Sequence, residues 1–131
     1  MTEIVAPPNS DNAPRKQFLL DYNIAFVRGD FDFVLAHAHD DFVWRIVGES
    51  TVTGKAAFEA KLREMPTDPA QHLEVETIIT HGRTASINGT ITDAVGTRYG
   101  FCDVVQFVNT KHNIIKSLTS YVIPLGDEAN A

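Results

Sequence analysis

The chain has 131 residues, of which 44% are hydrophobic and 21% are charged, and its formal net charge is −6 at pH 7. This length and composition indicate one globular domain with room for a sizeable core. The acidic balance and the lack of a cluster of Lys and Arg argue against binding to nucleic acid, and no apolar run approaches membrane-spanning length.

The two ends of the chain differ in composition from the rest. The first stretch, "MTEIVAPPNSDNAP", has no basic region followed by an apolar core, so it does not predict a secretory signal. Residues 1–12 and the tail 125–131 are expected to be flexible, which leaves one domain over residues 13–124. The single Cys102 excludes an internal disulfide and favours a reducing compartment, so we expect a cytoplasmic protein.

Three helices are predicted in the first half of the chain. The first has Pro14 in its opening turn, carries apolar side chains at helical spacing and ends at Gly29. A short second helix begins at Asp30 or Asp32. The third spans residues 55–65, where apolar side chains again recur on one face.

Five strands are predicted from side chains that alternate with a period of two. The first is "DFVWRIV" at 41–47, and the other four are "HLEVETIITH", "TASINGTITD", "TRYGFCDVVQFV" and "NIIKSLTSYVIP", separated by short turns. Consecutive strands after leading helices predict an α+β fold, with three helices from the N-terminal half packed on the concave face of a curved antiparallel sheet.

Four segments carry a resemblance to a known family: "FVRGDFD" at 26–32, "DDFVW" at 40–44, "GKAAFEAKL" at 54–62 and "CDVVQF" at 102–107. They resemble the nuclear transport factor 2-like cone fold, which ketosteroid isomerase shares with the SnoaL-type polyketide cyclases. The resemblance covers residues 14–123. It implies the fold more than a function, because this fold hosts many unrelated activities.

The resemblance implies roles for two residues and the loss of a third. Counting back from "RGD", the oxyanion-hole tyrosine of ketosteroid isomerase falls on Tyr22, and its protonated aspartic acid falls on Asp103 within "DVVQF". The position of its general-base aspartate falls on Ile46. An isoleucine cannot transfer a proton, so the isomerase mechanism as such is not expected here.

The residue pattern agrees with a polar pair inside an apolar site. Asp103 shares a strand face with Tyr99 and Phe101, and Tyr22 lies on the apolar face of the first helix. Desolvation raises the pKa of a carboxylic acid, so a neutral Asp103 and Tyr22 would each donate a hydrogen bond to a carbonyl, enol or phenol oxygen. The alternative is a structural pair, in which the tyrosine hydroxyl bonds the carboxyl and satisfies it.

We expect Tyr22 and Asp103 to lie in a pocket. The residues predicted to line it are Phe18, Phe26, Trp44, Ile46, Phe58, Leu62, Tyr99, Phe101, Thr119 and Tyr121. Any one of these lining residues could instead fill the core.

No metal site and no cofactor are predicted. The segment "HAHDD" at 37–41 places His37 and His39 two residues apart at a helix end, where such neighbours diverge. Cys102 lies on the strand face opposite Asp103, which favours an inert thiol over a nucleophile.

The predicted function is binding of a small, apolar, oxygen-bearing molecule. The protein is a candidate isomerase, cyclase or hydratase in which Tyr22 and Asp103 polarise an oxygen; the alternatives are a non-catalytic ligand-binding module and a protein-interaction domain. A second apolar face of the sheet, with Cys102 and Val104 outward, predicts a homodimer through the outer sheet face.

Overall fold

The structure, a computed structural model, describes residues 2–8 and 13–126. Of the segments expected to be flexible, residues 1, 9–12 and 127–131 lie outside the described residues. The elements follow one another along the chain as β1 (Glu3–Val5), α1 (Pro14–Arg28), α2 (Phe31–Ala36), β2 (Ala38–Ile46), β3 (Ser50–Thr53), α3 (Lys55–Arg63), β4 (His72–His81), β5 (Thr84–Thr92), β6 (Arg98–Phe107) and β7 (Ile115–Pro124).

The strands form one curved sheet in the order β1-β4-β5-β6-β7-β2-β3, and the three helices belong to the N-terminal half of the chain. This confirms the predicted α+β fold class. The sheet is mixed rather than antiparallel throughout, because β2 joins β7 and β1 joins β4 in parallel. Both parallel pairs connect strands that are far apart in sequence, as parallel pairing requires, so local patterns did not reveal them.

The N-terminal segment contains a strand that the sequence analysis did not predict. Residues 3–5, expected to be flexible, pair in register with His72, Leu73 and Glu74 of β4. The hydroxyl of Thr2 is buried and donates to the carbonyl of Ala70 at 2.7 Å. These contacts make β1 an edge strand of the sheet.

Helix α1 runs from a proline to a glycine, as the sequence predicts. Gly29 adopts a left-handed conformation with φ of 78°, and its N–H donates to the last carbonyls of the helix. At the other end, the guanidinium of Arg15 lies 3.9 Å from the ring centre of Phe107 and donates to the carbonyl of His112 at 3.0 Å. The helix is thereby held against the turn that joins β6 and β7.

The curvature of the sheet has a local cause in β4. The pairing register between β4 and β5 shifts between Val75 and Thr77, opposite Gly89. This shift is a β-bulge. A Cβ atom on Gly89 would lie 1.9 Å from the carbonyl oxygen of Glu74. Only glycine allows the two backbones to approach this closely, and the bulge bends the strands around the helices.

The core lies between the helices and the concave face of the sheet. Its large, fully buried side chains come from both layers: Leu19, Val34, Phe42, Phe58, Leu62, Leu73, Ile87, Val105, Phe107 and Ile115. Full burial of one such side chain stabilises the fold by about 1.5–3 kcal/mol before entropy is subtracted. Among the described residues, no helix is long and apolar enough to span a membrane.

Candidate functional site

A cavity of about 400 Å³ lies between helix α1 and the concave face of the sheet. This volume falls in the range of small-molecule sites. Its wall is mostly apolar, and the apolar side chains that form it include Phe26, Val27, Trp44, Ile46, Met65, Ile91, Phe101, Leu118 and Val122.

Three elements bring the polar groups of the site together. Residues four apart on a helix share a face, so Tyr22 and Phe26 of α1 both reach the cavity. Alternation along β6 points Phe101 and Asp103 inward, and Ser120 lies opposite Asp103 on β7.

The hydroxyl of Tyr22 is buried without a hydrogen-bond partner among the described residues. The residue is 3% exposed, and burial raises the pKa of its hydroxyl, with a further increase from the negative charge of Asp103. Tyr22 therefore keeps its proton at any physiological pH and can only act as a neutral donor or acceptor. The predicted alternative, in which this hydroxyl satisfies the Asp103 carboxyl, is not what the structure shows.

Asp103 is half-buried and also faces the cavity. Burial raises the pKa of its carboxyl to about 6, against the smaller opposing effect of a hydrogen bond from Ser120. The direction agrees with the sequence analysis. The degree differs, because a pKa of about 6 leaves most of the carboxyl groups ionised at pH 7. At pH 7 this value favours the carboxylate, a proton acceptor, whereas the sequence analysis expected the neutral donor.

A chain of hydrogen bonds holds this carboxylate in place. Trp44 Nε1 donates to Ser120 Oγ at 3.0 Å in a buried contact. Since the hydroxyl oxygen accepts from the indole, its own proton is free to be donated to the Asp103 carboxylate. Ser120 was not among the residues predicted from the sequence to form the site. Its position directly opposite Asp103 emerges only from the β6–β7 register.

The structure brings part of the predicted pocket set to this cavity. The predicted residues on its wall are Tyr22, Phe26, Trp44, Ile46, Phe101 and Asp103. Phe58 and Leu62 do not reach it, because α3 packs them fully into the core, where the Phe58 ring lies 4.4 Å from that of Phe42. Phe18 instead packs against His37 and Phe107.

Three further candidates lie away from the cavity wall. Leu118, Ser120 and Val122 of β7 line the cavity, so the alternating Thr119 and Tyr121 point to the outer face of the sheet. Tyr121 is 45% exposed there. Tyr99 is half-buried near the start of β6, beside Ile91 and Pro124 on the neighbouring strands. The sequence pattern of β7 has apolar residues on both faces and did not show which one faces inward.

The mouth of the cavity is formed by two loops that the sequence analysis did not assign to the site. Asp68 belongs to the connection from α3 to β4, and Asp93, Ala94 and Val95 belong to the turn from β5 to β6. Val95 is 85% exposed, which marks this end as the opening to solvent. Asp93 Oδ1 accepts from the backbone N–H of Val95 at 3.1 Å and so shapes the turn.

Metal-binding geometry is not found within residues 2–8 and 13–126, where no three His, Cys, Asp or Glu side chains are grouped to hold an ion. His37 Nδ1 lies 2.8 Å from the carbonyl of Phe33, and His39 Nδ1 accepts from the N–H of Asp41 at 3.0 Å. The Nδ1 atom of each ring thus contacts the backbone of a residue nearby in the sequence.

Comparisons with known proteins place this chain in a family. A family model for the SnoaL-like domain matches residues 19–116. An NTF2-like protein of unknown function from Cytophaga hutchinsonii is 32% identical in sequence, with a TM-score of 0.63, and the match covers 79% of this chain and 96% of that chain.

Two further solved structures share the fold at lower identity. An NTF-2 like protein of unknown function from Burkholderia xenovorans is 19% identical, with a TM-score of 0.68, over 82% of this chain and 81% of that chain. An LEH-like epoxide hydrolase from M. tuberculosis is 21% identical, with a TM-score of 0.64, over 79% of this chain and 78% of that chain. The comparison with curated proteins found no match. The family model covers most of the chain and the helices and curved sheet agree with it, so the chain belongs to the SnoaL-like domain family of the NTF2-like superfamily.

Proposed function

We propose that this protein binds a small, mostly apolar molecule through a single oxygen atom, with Tyr22 as donor and Asp103 as acceptor. The observation that carries the proposal is the buried hydroxyl of Tyr22, which has no hydrogen-bond partner among the described residues. A buried polar group left unpaired costs about 1–3 kcal/mol. A ligand oxygen that reaches Tyr22 removes this cost, and the apolar wall receives the rest of the molecule.

The charge state of the pair selects the kind of oxygen. With the carboxyl of Asp103 mostly ionised at pH 7, the site offers one donor and one acceptor. A hydroxyl fits both, because it accepts from Tyr22 and donates to Asp103, whereas a ketone oxygen can only accept. Phenols and enols are therefore the ligands that match the site best.

The same arrangement supports acid–base catalysis of the isomerase, cyclase or hydratase type. A carboxylate with a pKa of about 6 is a general base suited to neutral pH. A ketone oxygen accepts from Tyr22 and makes no hydrogen bond to the Asp103 carboxylate, which is then free to act at carbon. In the proposed step, Asp103 removes a proton from the carbon next to the carbonyl. The C–H electron pair becomes the enolate double bond, and Tyr22 stabilises the charge on the oxygen.

This proposal moves the base to Asp103, because the cavity has Ile46 at the base position of the ketosteroid isomerases. The alternative is a ligand-binding module without catalysis, which would use the same cavity.

A role in the cytoplasm is supported by the single, half-buried Cys102 and its free thiol.

Tyr22→Phe should weaken binding of 2-naphthol by about 5- to 15-fold, because one hydrogen bond to the ligand oxygen is lost. Fluorescence titration of wild type and variant measures this. 2-Methoxynaphthalene cannot donate to Asp103 and should bind more weakly than 2-naphthol. Tyr99→Phe is the matched control, since its hydroxyl is off the cavity wall. Equal affinities of wild type and Tyr22→Phe would contradict the proposal.

For catalysis we expect proton exchange on 2-tetralone, a ketone of similar size. In D₂O, wild-type protein should speed deuterium incorporation next to the carbonyl, and Asp103→Asn should lower the added rate by at least about 100-fold, as for loss of a general base. NMR of the ketone gives both rates. If wild type does not exceed buffer while 2-naphthol binding still depends on Tyr22, the protein is a binding module and not an enzyme.

Stability should fall with rising pH because of Asp103. Its pKa of about 6 in the folded protein lies above the ordinary value of 3.8, so its contribution is full below about pH 4 and is lost as the pH rises through 6. Urea unfolding should show wild type losing as much as about 3 kcal/mol relative to Asp103→Asn between about pH 4 and pH 7. The free energy of unfolding of Asp40→Asn, a substitution at an exposed site, should change with pH as that of wild type does. If the free energy of unfolding of Asp103→Asn also changes with pH as that of wild type does, the raised pKa of Asp103 is refuted.

We also propose a homodimer through the outer sheet face. Ile79 on β4, Tyr121 on β7 and Ile123 on β7 lie on this face, which the helices do not cover, and they are 58%, 45% and 65% exposed. Monomers seldom leave such a set of large apolar residues in contact with water. A two-fold related copy would cover it with the same surface.

Light scattering should give twice the chain mass for wild type. Tyr121→Glu should shift the protein to monomer, because a charge would then be buried at the centre of the interface. Val95→Glu, which is exposed at the cavity mouth instead, should remain dimeric. A wild-type monomer at micromolar concentration would rule out this interface.

A further inference from the structure

Among the residues that the structure describes, the cavity wall carries charges of one sign. Three of these side chains are carboxylates, Asp68, Asp93 and Asp103, and none of the described lining residues is Lys, Arg or His. The chain as a whole has a formal net charge of −6. A ligand with a carboxylate or phosphate group would therefore meet only like charge on entering, and low-dielectric walls increase that repulsion.

The two carboxylates at the mouth lie on loops that are tied together. Gln71, just before β4, donates from its backbone N–H to Thr92 O at 2.9 Å and from its side chain to Ala94 O at 3.0 Å. These bonds hold the segment that carries Asp68 against the turn that carries Asp93. Both acidic side chains thus belong to one rim of the opening.

The two rim carboxylates differ in the hydrogen bonds that they already make within the protein. Asp93 accepts from the backbone N–H groups of Val95 and Thr97 at 3.1 and 2.9 Å. Asp68 is exposed and has no hydrogen bond or ion pair with any of the described residues. The charge of Asp68 is therefore the one that a ligand can approach without displacing a protein contact.

An acidic rim alone would not indicate a ligand, but the same cavity also holds the unpartnered hydroxyl of Tyr22. This hydroxyl is close enough to Asp103 for the charge of Asp103 to raise its pKa. Asp103 lies five residues along β6 from Arg98, which pairs with Thr92 beside the turn that carries Asp93, so Tyr22 lies at the far end of the cavity from the rim. The cavity thus has a hydrogen-bonding end, an apolar middle and an anionic rim. Each end complements a different group, so a ligand that matches all three has its polar groups at opposite ends.

We propose that the cavity takes a hydroxylated apolar molecule with an amine at its other end, and that Asp68, supported by Asp93, binds the ammonium group at the mouth. This inference rests on the proposed function, which assigns the oxygen-binding end to Tyr22 and Asp103. It adds the charge class of the ligand, cationic, and it excludes carboxylates and phosphates as good ligands.

Three naphthols with a common scaffold test the charge class. They carry aminomethyl, hydroxymethyl or carboxymethyl at position 6, and so are cationic, neutral and anionic at pH 7. Wild type should bind them in that order, with the cation favoured over the anion by about tenfold or more at low salt. Added salt should narrow the ratio, because the rim is exposed to solvent. An anion that binds as tightly as the cation would overturn the proposal.

Asp68→Asn locates the effect. It should weaken the aminomethyl compound about two- to fivefold and leave the hydroxymethyl compound unchanged, because a single exposed ion pair contributes modestly. Asp40→Asn changes the net charge equally but lies on β2 away from the cavity wall, and it should change neither compound. Equal effects of the two variants would overturn the role of Asp68.

The neutral hydroxymethyl compound separates this proposal from the proposed function. If its binding depends on Tyr22 but the three naphthols bind alike, only the charge class is wrong. If its binding does not depend on Tyr22, the oxygen-binding end is wrong, and the charge order then has no site of the proposed kind to explain it.

Discussion

The arrangement of the site depends on one constraint, the carboxyl of Asp103 held at an apolar wall. An isolated buried carboxylate would cost more than a domain can supply, so it needs partners. In the structure its partner is Ser120, directly opposite on β7. The Ser120 hydroxyl oxygen accepts a hydrogen bond from Trp44 Nε1, which leaves the hydroxyl proton for Asp103. The balance leaves the pKa of Asp103 at about 6, between a permanently charged and a permanently neutral group. Perturbed pKa values of this kind are common at functional sites, which is why the proposed function centres on Asp103.

The mixed sheet makes this arrangement available. Trp44 reaches Ser120 only because β2 runs parallel to β7 at its edge, with Trp44 next to Leu118 in register. On the other side, the bulge opposite Gly89 curves the antiparallel strands around α1. The cavity lies on the concave face of this curved sheet, beside α1. The helices pack on the concave face and leave the outer face of the sheet uncovered, and this outer face is the one proposed to form the dimer.

In a fold that hosts many activities, the function of one member depends on the residues in its cavity. Ile46, on which the resemblance to ketosteroid isomerase places the general base, contributes only apolar surface to the wall. The proposed acid–base role therefore falls to Asp103, with Tyr22 as its neutral counterpart. In the same proposal the rim at Asp68 and Asp93 recognises the other end of the ligand, away from any chemistry at its oxygen.

The sequence by itself determined the α+β class, the helix boundaries at Pro14 and Gly29, and the inward faces of Tyr22 and Asp103, because local periodicity fixes which side of a helix or strand is apolar. Only the tertiary structure decided the parallel pairings, strand β1, the rim at Asp68 and the inward face of β7. A strand with apolar residues on both faces does not encode its own orientation, and a shift of one residue exchanges Ser120 for Thr119. The degree of the Asp103 pKa shift is likewise tertiary, since it is set by burial and by a hydroxyl seventeen positions away along the chain.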